Sequence, residues 1–365
     1  MIYFQKKVIK EYILKIYKIF NSILVKFNCL FPVNKNSNIK VFFGGSITGN
    51  IGGTLVKIKR LKKKFQNNNF NFNCVYLLSN SIYLNKSAIK DLKKKNIPII
   101  HNQNGVFYKG WYGDGWETKN SDMSFQFHSA DYVFYQSNFS KYCSEIFLGK
   151  REGPEEVLYN AVDTKFFRPH QKKVLQPDLK ILITGKYQEH LYYSLEFSLK
   201  VLFELNKCKI PSSIIFAGYF DPIVINKLKI LAKKLDISDK INFRGVYSQS
   251  KADLIYNLAD IYFYFVHQSN CPNSVIEAMS CGLPVVCSNT GGLPEIVDSE
   301  TGICLKADAN WDKPSIPNID HAIKGVKKII NSYSDYSNNS IIKIVKNHNI
   351  DNWINKHEKV FKRFL

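Results

Sequence analysis

Two successive series of short apolar segments, each alternating with helical stretches, constrain the fold of this chain more than any other feature. A polar stretch without periodicity, residues 169–177, separates them and is typical of a linker. The expected strands of the first series are 40–43, 74–78, 97–101, 132–135 and 156–158. Those of the second series are 179–184, 213–217, 241–243, 261–266 and 285–287. Such alternation predicts an α/β chain with two parallel, doubly wound sheets.

Length and composition limit the classes of protein to consider. A chain of 365 residues is long enough for two domains, each with its own core. The net charge of +21 indicates anionic partners, but only five basic residues are arginines, so base-reading nucleic-acid recognition is not expected. The eight cysteines include no Cys-x-x-Cys pair, which argues against a zinc site or a disulfide framework. No signal-peptide pattern is evident, and the expected location is a reducing cytoplasm.

Residues 1–33 have the pattern of an amphipathic helix. The apolar residues Ile9, Ile13, Ile16, Phe20 and Phe27 project into one arc at 100° per residue, and lysines lie on the opposite side. The longest charge-free run, residues 19–25, is too short to cross a bilayer. Two interpretations remain open: peripheral attachment to an anionic membrane surface through residues 1–33, or a helix that packs on the body of the protein.

The segment that begins at Pro272 predicts a binding site. Asn273 or Ser274 begins a short helix, Gly282 ends it, and a buried strand and a glycine turn follow. The first turn of a helix presents unpaired N–H groups and a positive dipole end, which favour an anion. Glu277 lies one turn inside, where its carboxylate can accept hydrogen bonds from two neighbouring hydroxyls. Phosphate at the helix end and a ribose on Glu277 indicate a nucleoside diphosphate.

This segment, with Thr290-Gly291-Gly292-Leu293-Pro294-Glu295 after it, resembles the donor site of retaining GT-B glycosyltransferases, specifically glycosyltransferase family 4. The resemblance covers about residues 39–335. It implies two facing Rossmann-like domains with a cleft between them, a nucleotide-sugar donor, and neither a metal nor a cofactor. The implied domains are a helical appendage at 1–38, an acceptor-side domain at 39–175 and a donor domain at 176–335. Residues 336–365 are then expected to form a helix that crosses back to the first domain.

The resemblance also implies roles for individual residues. The donor is expected to contact the residues at the ends of the strands and at the helix start: Gly52, Gly53, Gly185, Lys186, Val246, Tyr247, Asn273, Ser274 and Glu277. Lys186 stands where the family commonly has an arginine, and it keeps the positive charge for the leaving diphosphate. Two positions depart from the family pattern. Leu191 replaces a second lysine, and Ser269 replaces the first of two paired glutamates. These departures indicate altered sugar recognition, or a relative that has lost activity.

In the first domain, a strand end and the loop after it contain further candidates. Asn104 holds the place of a family histidine that contacts the donor sugar, and His101 is the alternative. Catalytic candidates are therefore Lys186, Glu277, Ser269, Asn104 and His101. The aromatic, glycine-rich loop contains four candidates for acceptor binding: Trp111, Asp114, Trp116 and Glu117. The other interpretation of this loop is a buried aromatic plug.

The predicted function is transfer of a sugar from a nucleoside diphosphate to a hydroxyl acceptor, a glycan or lipid-linked glycan, with retention of configuration. Two alternatives remain. One is an inactive relative that binds nucleotide sugars. The other is a basic protein that binds a membrane or nucleic-acid surface.

Overall fold

The computed structural model describes residues 2–33, 38–46 and 53–365, and the contacts within the chain divide it into two compact units. Unit 1 comprises Met1–Tyr108, Tyr112–Leu158 and Ile354–Leu365. Unit 2 comprises Lys109–Trp111 and Tyr159–Trp353. The division falls after Leu158, so the irregular segment 169–177 lies in unit 2.

Unit 1 contains a five-stranded parallel sheet with the spatial order β1-β2-β3-β4-β5. Its strands are β1 (Val41–Phe42), β2 (Cys74–Leu78), β3 (Ile99–Gln103), β4 (Tyr132–Tyr135) and β5 (Glu155–Val157). On the other side of β1, Val41 forms an isolated parallel bridge with Asn67. The side chains of β2, β3 and β4 are all buried, which explains the apolar and aromatic runs of β2 and β4. Strand β3 differs, because its last three residues, His101–Gln103, are polar.

The helices of unit 1 are α1 (Ile2–Asn28), α2 (Gly53–Lys62), α3 (Lys86–Lys94), α5 (Trp116–Ser129) and α6 (Asn138–Phe147). The short α4 (Lys109–Tyr112) is shared between the units. Side chains cap two helices: Asn85 accepts from the amide of Ala88 at 2.8 Å, and Ser137 accepts from the amide of Ser140 at 2.9 Å. The chain ends with α14 (Ile350–Arg363), whose portion from Ile354 onward belongs to unit 1.

Helix α1 packs on unit 1, but not through the apolar arc that its sequence pattern singles out. From residue 11 to the end of the helix, where the side chains are described, the buried ones are Asn21, Ser22, Leu24, Val25 and Asn28. The arc residues Ile9, Ile13, Ile16, Phe20 and Phe27 are 46–59% exposed. The helix therefore buries a face with several polar side chains and leaves its apolar face uncovered by the described residues.

Unit 2 contains a six-stranded parallel sheet with the order β11-β10-β9-β6-β7-β8. Its strands are β6 (Leu179–Tyr187), β7 (Ser212–Phe220), β8 (Ile241–Gly245), β9 (Ile261–Tyr264), β10 (Val285–Ser288) and β11 (Gly302–Leu305). The ten predicted strands are confirmed in the two sheets, with boundaries that differ by up to three residues. The edge strand β11 was not predicted.

Helices cover both faces of this sheet. They are α7 (Tyr192–Lys207), α8 (Pro222–Lys234), α9 (Ala252–Asn257), α10 (Asn273–Ser280), α11 (Leu293–Ile296), α12 (Ile319–Asn331) and α13 (Tyr333–Asn347). Short 3₁₀ turns occur at Glu189–Leu191, Ser238–Lys240 and Gln249–Lys251. Ile181 and Ile183 belong to one buried apolar cluster and Leu182 to another, as expected when successive residues of a strand point to opposite faces. The sheet is thus doubly wound.

Candidate functional site

The strand order of unit 2 locates the crevice in which a ligand would bind. Strand β6 lies between β9 and β7. After β6 the strand order runs first toward one edge of the sheet, through β7 and β8, and then toward the other edge, through β9, β10 and β11. In open α/β sheets, ligands bind outside the carboxyl ends of the strands at such a switch point. The candidate site is therefore the region around the carboxyl ends of β6 and β9.

At the end of β6, two glycines allow a close approach of neighbouring strands. Gly185 pairs with Gly218 of β7, and both have positive φ angles, +152° and +122°. A Cβ atom on Gly218 would lie 2.2 Å from the carbonyl oxygen of Gly185, so only glycine fits there. The next residue, Lys186, is exposed, and its Nζ lies 5.8 Å from the centre of the Tyr219 ring. An exposed cation thus lies at the switch point.

The first turn of α10 lies beyond the carboxyl end of β9. The helix begins at Asn273, its N-cap is Pro272 and no side chain caps it, so the amides of Asn273 and Ser274 have no acceptor within the helix. Gly282, with φ +77°, follows the helix as predicted. Among the described residues, the buried side-chain oxygens of Asn273 and Asn270 have no hydrogen-bond partner. Buried polar atoms of this kind are usually hydrogen-bonded, so these two oxygens are exceptions in and just before the first turn of α10.

Glu277 is buried one turn inside α10 and accepts a hydrogen bond from a tyrosine hydroxyl. Tyr256 donates to Glu277 Oε2 at 2.9 Å. The Thr184 hydroxyl lies 3.2 Å from the Tyr256 hydroxyl and 2.9 Å from the Tyr262 hydroxyl. Burial and the Glu277 carboxylate raise the pKa of Tyr247 to about 12, so this phenol also stays protonated and able to donate. Tyr256 on α9 therefore orients the carboxylate, and the hydroxyls of Thr184 and Tyr262 continue the hydrogen-bond network behind Tyr256.

The loop that follows β9 contains Ser269. Its hydroxyl lies 3.0 Å from the Tyr264 hydroxyl, and its carbonyl accepts from the Gly292 amide at 2.8 Å. Gly291, with φ +73°, lies so close that a Cβ would be 2.4 Å from the Ser269 carbonyl oxygen. The glycine turn thus fixes the backbone of Ser269. Val246, exposed after β8, and the half-buried Tyr247 complete the donor-site candidates of this unit.

Asn104 of unit 1 lies directly after β3 and is connected to a buried lysine. Lys57 of α2 is almost fully buried, and its Nζ donates to Asn102 Oδ1 at 2.6 Å and to Asn104 Oδ1 at 2.7 Å. The Asn104 amide group also lies 3.2 Å from Asn80 Oδ1. Lys57 was not predicted as a site residue because nothing distinguishes it in sequence from the many other lysines. It adds a positive charge beside the predicted sugar-contacting residue.

His101 lies inside the sheet of unit 1. Its ring is fully buried, with Nε2 2.7 Å from Gln103 Oε1 and Nδ1 3.2 Å from Gln126 Nε2. Burial lowers the pKa of His101 to about 4, so the ring is neutral near pH 7. Of the two alternatives at this strand end, the geometry favours the half-buried Asn104 for contact with a ligand.

The buried histidines predict a loss of stability in acid. Burial lowers the pKa values of His101 and His348 to about 4, whereas an unfolded histidine titrates near 6.5. Below that value the unfolded chain gains protons that the folded chain does not, so the free energy of unfolding falls as the pH drops from about 6.5 to about 4. Each histidine contributes a slope of up to about 1.4 kcal/mol per pH unit. Urea unfolding of His101→Gln at pH 7 and 5 should show a smaller pH dependence than the native chain. Replacing exposed His321 is the control, and an unchanged dependence in His101→Gln would contradict the assignment.

The remaining candidates are distributed over both units. Gly52 lies outside the described residues, and Gly53 begins α2. Trp111, assigned to unit 2, is partly exposed, with its ring 5.6 Å from that of His190. In unit 1, Asp114 and Glu117 are exposed near the start of α5, whereas half-buried Trp116 packs edge-on against Phe147 at 5.4 Å. Trp116 therefore fits the aromatic-plug interpretation, and the two acids are accessible.

Over the described ranges, no group of three or more His, Cys, Asp or Glu is arranged to hold a metal ion.

Part of the chain is similar in sequence to known proteins. Residues 165–339 match the family model described as "Glycosyl transferases group 1". An uncharacterized glycosyltransferase of Haemophilus influenzae is 33% identical over 107 residues, which are 29% of this chain and 27% of that protein. D-inositol 3-phosphate glycosyltransferase of Mycobacteroides abscessus is 34% identical over 86 residues, 23% of this chain and 19% of that protein. The matches thus span about a quarter or less of these two curated relatives.

Solved structures resemble the chain over most of its length. Sucrose-phosphate synthase from Thermosynechococcus elongatus has a TM-score of 0.66 at 15% identity, covering 84% of this chain and 76% of that one. HepE of Anabaena in complex with UDP has a TM-score of 0.61 at 13% identity, covering 80% of this chain and 79% of that one. These similarities confirm the predicted fold class, GT-B with two parallel-sheet α/β domains. The family match is a separate similarity, in sequence, to a glycosyltransferase model over residues 165–339.

Proposed function

We propose that the chain transfers a sugar from a nucleoside diphosphate to a hydroxyl acceptor, a glycan or lipid-linked glycan, with retention at the anomeric carbon and without a metal ion. The observation that carries this proposal is the buried Glu277 carboxylate, held by Tyr256 one turn inside a helix whose first amides have no acceptor within the helix. Neighbouring folds include HepE solved in complex with UDP-glucose, which is in keeping with such a donor.

The residues have distinct tasks in this reaction. The amides of Asn273 and Ser274 bind the diphosphate, and Glu277 accepts hydrogen bonds from the ribose hydroxyls. The bond between the anomeric carbon and the diphosphate oxygen breaks, and a bond from the same carbon to the acceptor oxygen forms on the same face. The acceptor proton passes to the departing diphosphate. Lys186 and the helix end stabilise the negative charge that develops on this leaving group.

The charge on Lys186 predicts a specific kinetic effect. Lys186→Ala should lower kcat by about tenfold to a hundredfold, because the lost cation stabilises the leaving diphosphate more than the bound donor. Lys186→Arg should keep most of the activity. The melting temperature should change little, since Lys186 is exposed. Lys229→Ala on the exposed face of α8 is the matched control. Steady-state kinetics with an unchanged kcat in Lys186→Ala would remove the lysine from the mechanism.

A binding protein without turnover is the second candidate. Two observations favour it: the Ser269 hydroxyl is already engaged with Tyr264, and Leu191, at the place of a second lysine, is buried and uncharged. Purified protein is incubated with UDP-, GDP- and ADP-linked sugars together with a hydroxyl acceptor such as a simple alkyl glycoside, or with water as the slow substitute. Release of the nucleoside diphosphate, as the sugar passes to that hydroxyl, separates the two. Release that depends on Glu277 supports the enzyme. Thermal stabilisation by the same compounds without any release supports the binding protein.

A further inference from the structure

Helix α1 is fixed on unit 1 by specific polar contacts. Tyr17 donates to the carbonyl of Gly45 at 2.6 Å, and the Ser22 hydroxyl accepts from the amide of Asn85 at 2.9 Å. Near the end of the helix, Asn28 both donates to the Phe72 carbonyl and accepts from the Phe72 amide, each at 3.1 Å. Because three separate segments of unit 1 hold this face, the orientation of the opposite face is also fixed.

The opposite face is almost entirely apolar. Eight side chains share an arc of about 120° on the helix and are 46–67% exposed: Ile9, Tyr12, Ile13, Ile16, Ile19, Phe20, Ile23 and Phe27. A continuous apolar stripe on a fixed helix is unusual for a surface that faces only water. It requires an apolar partner.

An apolar cleft continues this stripe beyond the end of α1. Its volume is about 420 Å³, within the usual range for a ligand site. Phe27, Phe31, Pro32, Val33, Phe70 and Phe72 line it, together with two asparagines. The Phe27 ring contacts those of Phe31 and Phe70 at 5.2 and 5.8 Å, and all three rings are about half exposed. The cleft is open to a linear apolar group.

The charge around the stripe distinguishes between apolar partners. Helix α1 contains six lysines and one glutamate, and Lys15 and Lys26 are exposed. Cations beside an apolar face complement an anionic bilayer surface, in which the apolar side chains enter the acyl region and the lysines stay at the headgroups. Across the part of the chain that the structure describes, no helix is both long and apolar enough to span a membrane.

We propose that the apolar stripe of α1 lies in the interface of an anionic membrane, and that the Phe27–Phe31–Phe70 cleft receives an acyl chain of one of its lipids. Helix α1 then lies parallel to the membrane plane, with its polar face on unit 1. The inference does not depend on the proposed sugar transfer, since membrane binding and transfer are measured separately.

Vesicle sedimentation of the full chain tests the stripe. The native protein should bind vesicles of phosphatidylcholine that contain phosphatidylglycerol as a minor component more tightly than vesicles of phosphatidylcholine alone. The variant Ile13→Gln/Ile16→Gln/Phe20→Gln should lose about tenfold or more in partitioning, because three exposed apolar side chains no longer enter the bilayer. Ile230→Gln/Ile342→Gln, at exposed apolar positions of unit 2, is the matched control and should bind like the native chain.

Two outcomes of this experiment would overturn the proposal. One is native protein that binds neither type of vesicle. The other is a triple variant that binds as well as the native chain. Light scattering adds a separate criterion: if the native chain is a dimer without affinity for vesicles, and the triple variant is a monomer, the stripe is an interface between copies of the chain.

The cleft is tested by a fluorescent reporter. Phe70→Trp places an indole at its rim, and mixed vesicles of the same two lipids with brominated acyl chains should quench the added fluorescence if the rim enters the acyl region. Tyr219→Trp on unit 2, which is also exposed, is the control and should not be quenched. Equal quenching of the two reporters, or none at Phe70→Trp in protein that sediments with vesicles, would reject the acyl-chain site.

Discussion

Replacement of Glu277 by glutamine is expected to lower kcat/KM for the nucleotide-sugar donor by about a hundredfold to a thousandfold. A hydrogen bond to a charged group contributes about 1.5–3 kcal/mol, and the proposed carboxylate accepts two of them from the ribose. A difference of about 1.4 kcal/mol corresponds to a factor of ten. The isosteric amide retains the shape of the side chain but replaces one acceptor by a donor, next to the donating Tyr256 hydroxyl.

The effect must come from the ligand and not from misfolding. Thermal melting of Glu277→Gln without ligand shows whether the fold survives. Glu204→Gln on α7, which is not a candidate site residue, is the control for the same substitution elsewhere in unit 2. Unaltered kcat/KM in a folded Glu277→Gln would mean that the ribose does not bind at this carboxylate. A variant that no longer folds would be replaced by Tyr256→Phe, which removes only the hydroxyl that orients the carboxylate and should weaken donor binding in the same direction.

Replacement of Gly218 by alanine is expected to destabilise the chain by about 3 kcal/mol or more. The added Cβ would lie 2.2 Å from the Gly185 carbonyl oxygen, and the backbone has φ +122°, which L side chains rarely adopt. Relief of the contact requires β6 and β7 to separate at the residues that position Lys186. Stability and activity should therefore both fall.

Gly245 provides a matched comparison. It also has a positive φ, +68°, at the end of the neighbouring strand β8, but a Cβ there would meet nothing within 4 Å. Gly245→Ala should therefore cost only the backbone strain, about 1 kcal/mol. Urea unfolding of both variants measures the difference. Equal destabilisation would show that the close approach of Gly185 and Gly218 is not what requires glycine at position 218.

The sequence predicts most of the fold because buried strands in a doubly wound sheet are apolar on both faces. The segments Cys74–Leu78 and Tyr132–Tyr135 are predicted without error for this reason. Strand β11 was missed, since Gly302–Leu305 is a four-residue edge strand whose two central side chains are only partly buried.

The exposed stripe of α1 shows a different limit of prediction from sequence. Its helical periodicity is evident in the sequence, but which face packs on unit 1 depends on tertiary hydrogen bonds such as that of Asn28.

The candidate site was predictable only where proline and glycine residues mark the ends of a helix. Pro272, Gly282 and the intervening Glu277 define a helix end from sequence alone, and the structure places them as expected. The hydrogen-bond network around Glu277 was not predictable. Tyr256 and Tyr262 are two among 21 tyrosines, and the strand order brings both to Thr184. His101 shows the opposite case: the sequence predicted a strand end at this residue, but His101 is the central residue of β3 (Ile99–Gln103), where the sheet buries its ring.

Binding of nucleoside diphosphates to the purified full chain tests the central claim most directly. Calorimetric titrations with UDP, GDP and ADP in the presence of a chelator measure affinity for the bare leaving group, independently of the acceptor and of turnover. We expect at least one of them to bind, and Glu277→Gln to weaken that binding by about tenfold or more. If the native chain binds none of the three at millimolar concentration, the first turn of α10 is not a diphosphate site.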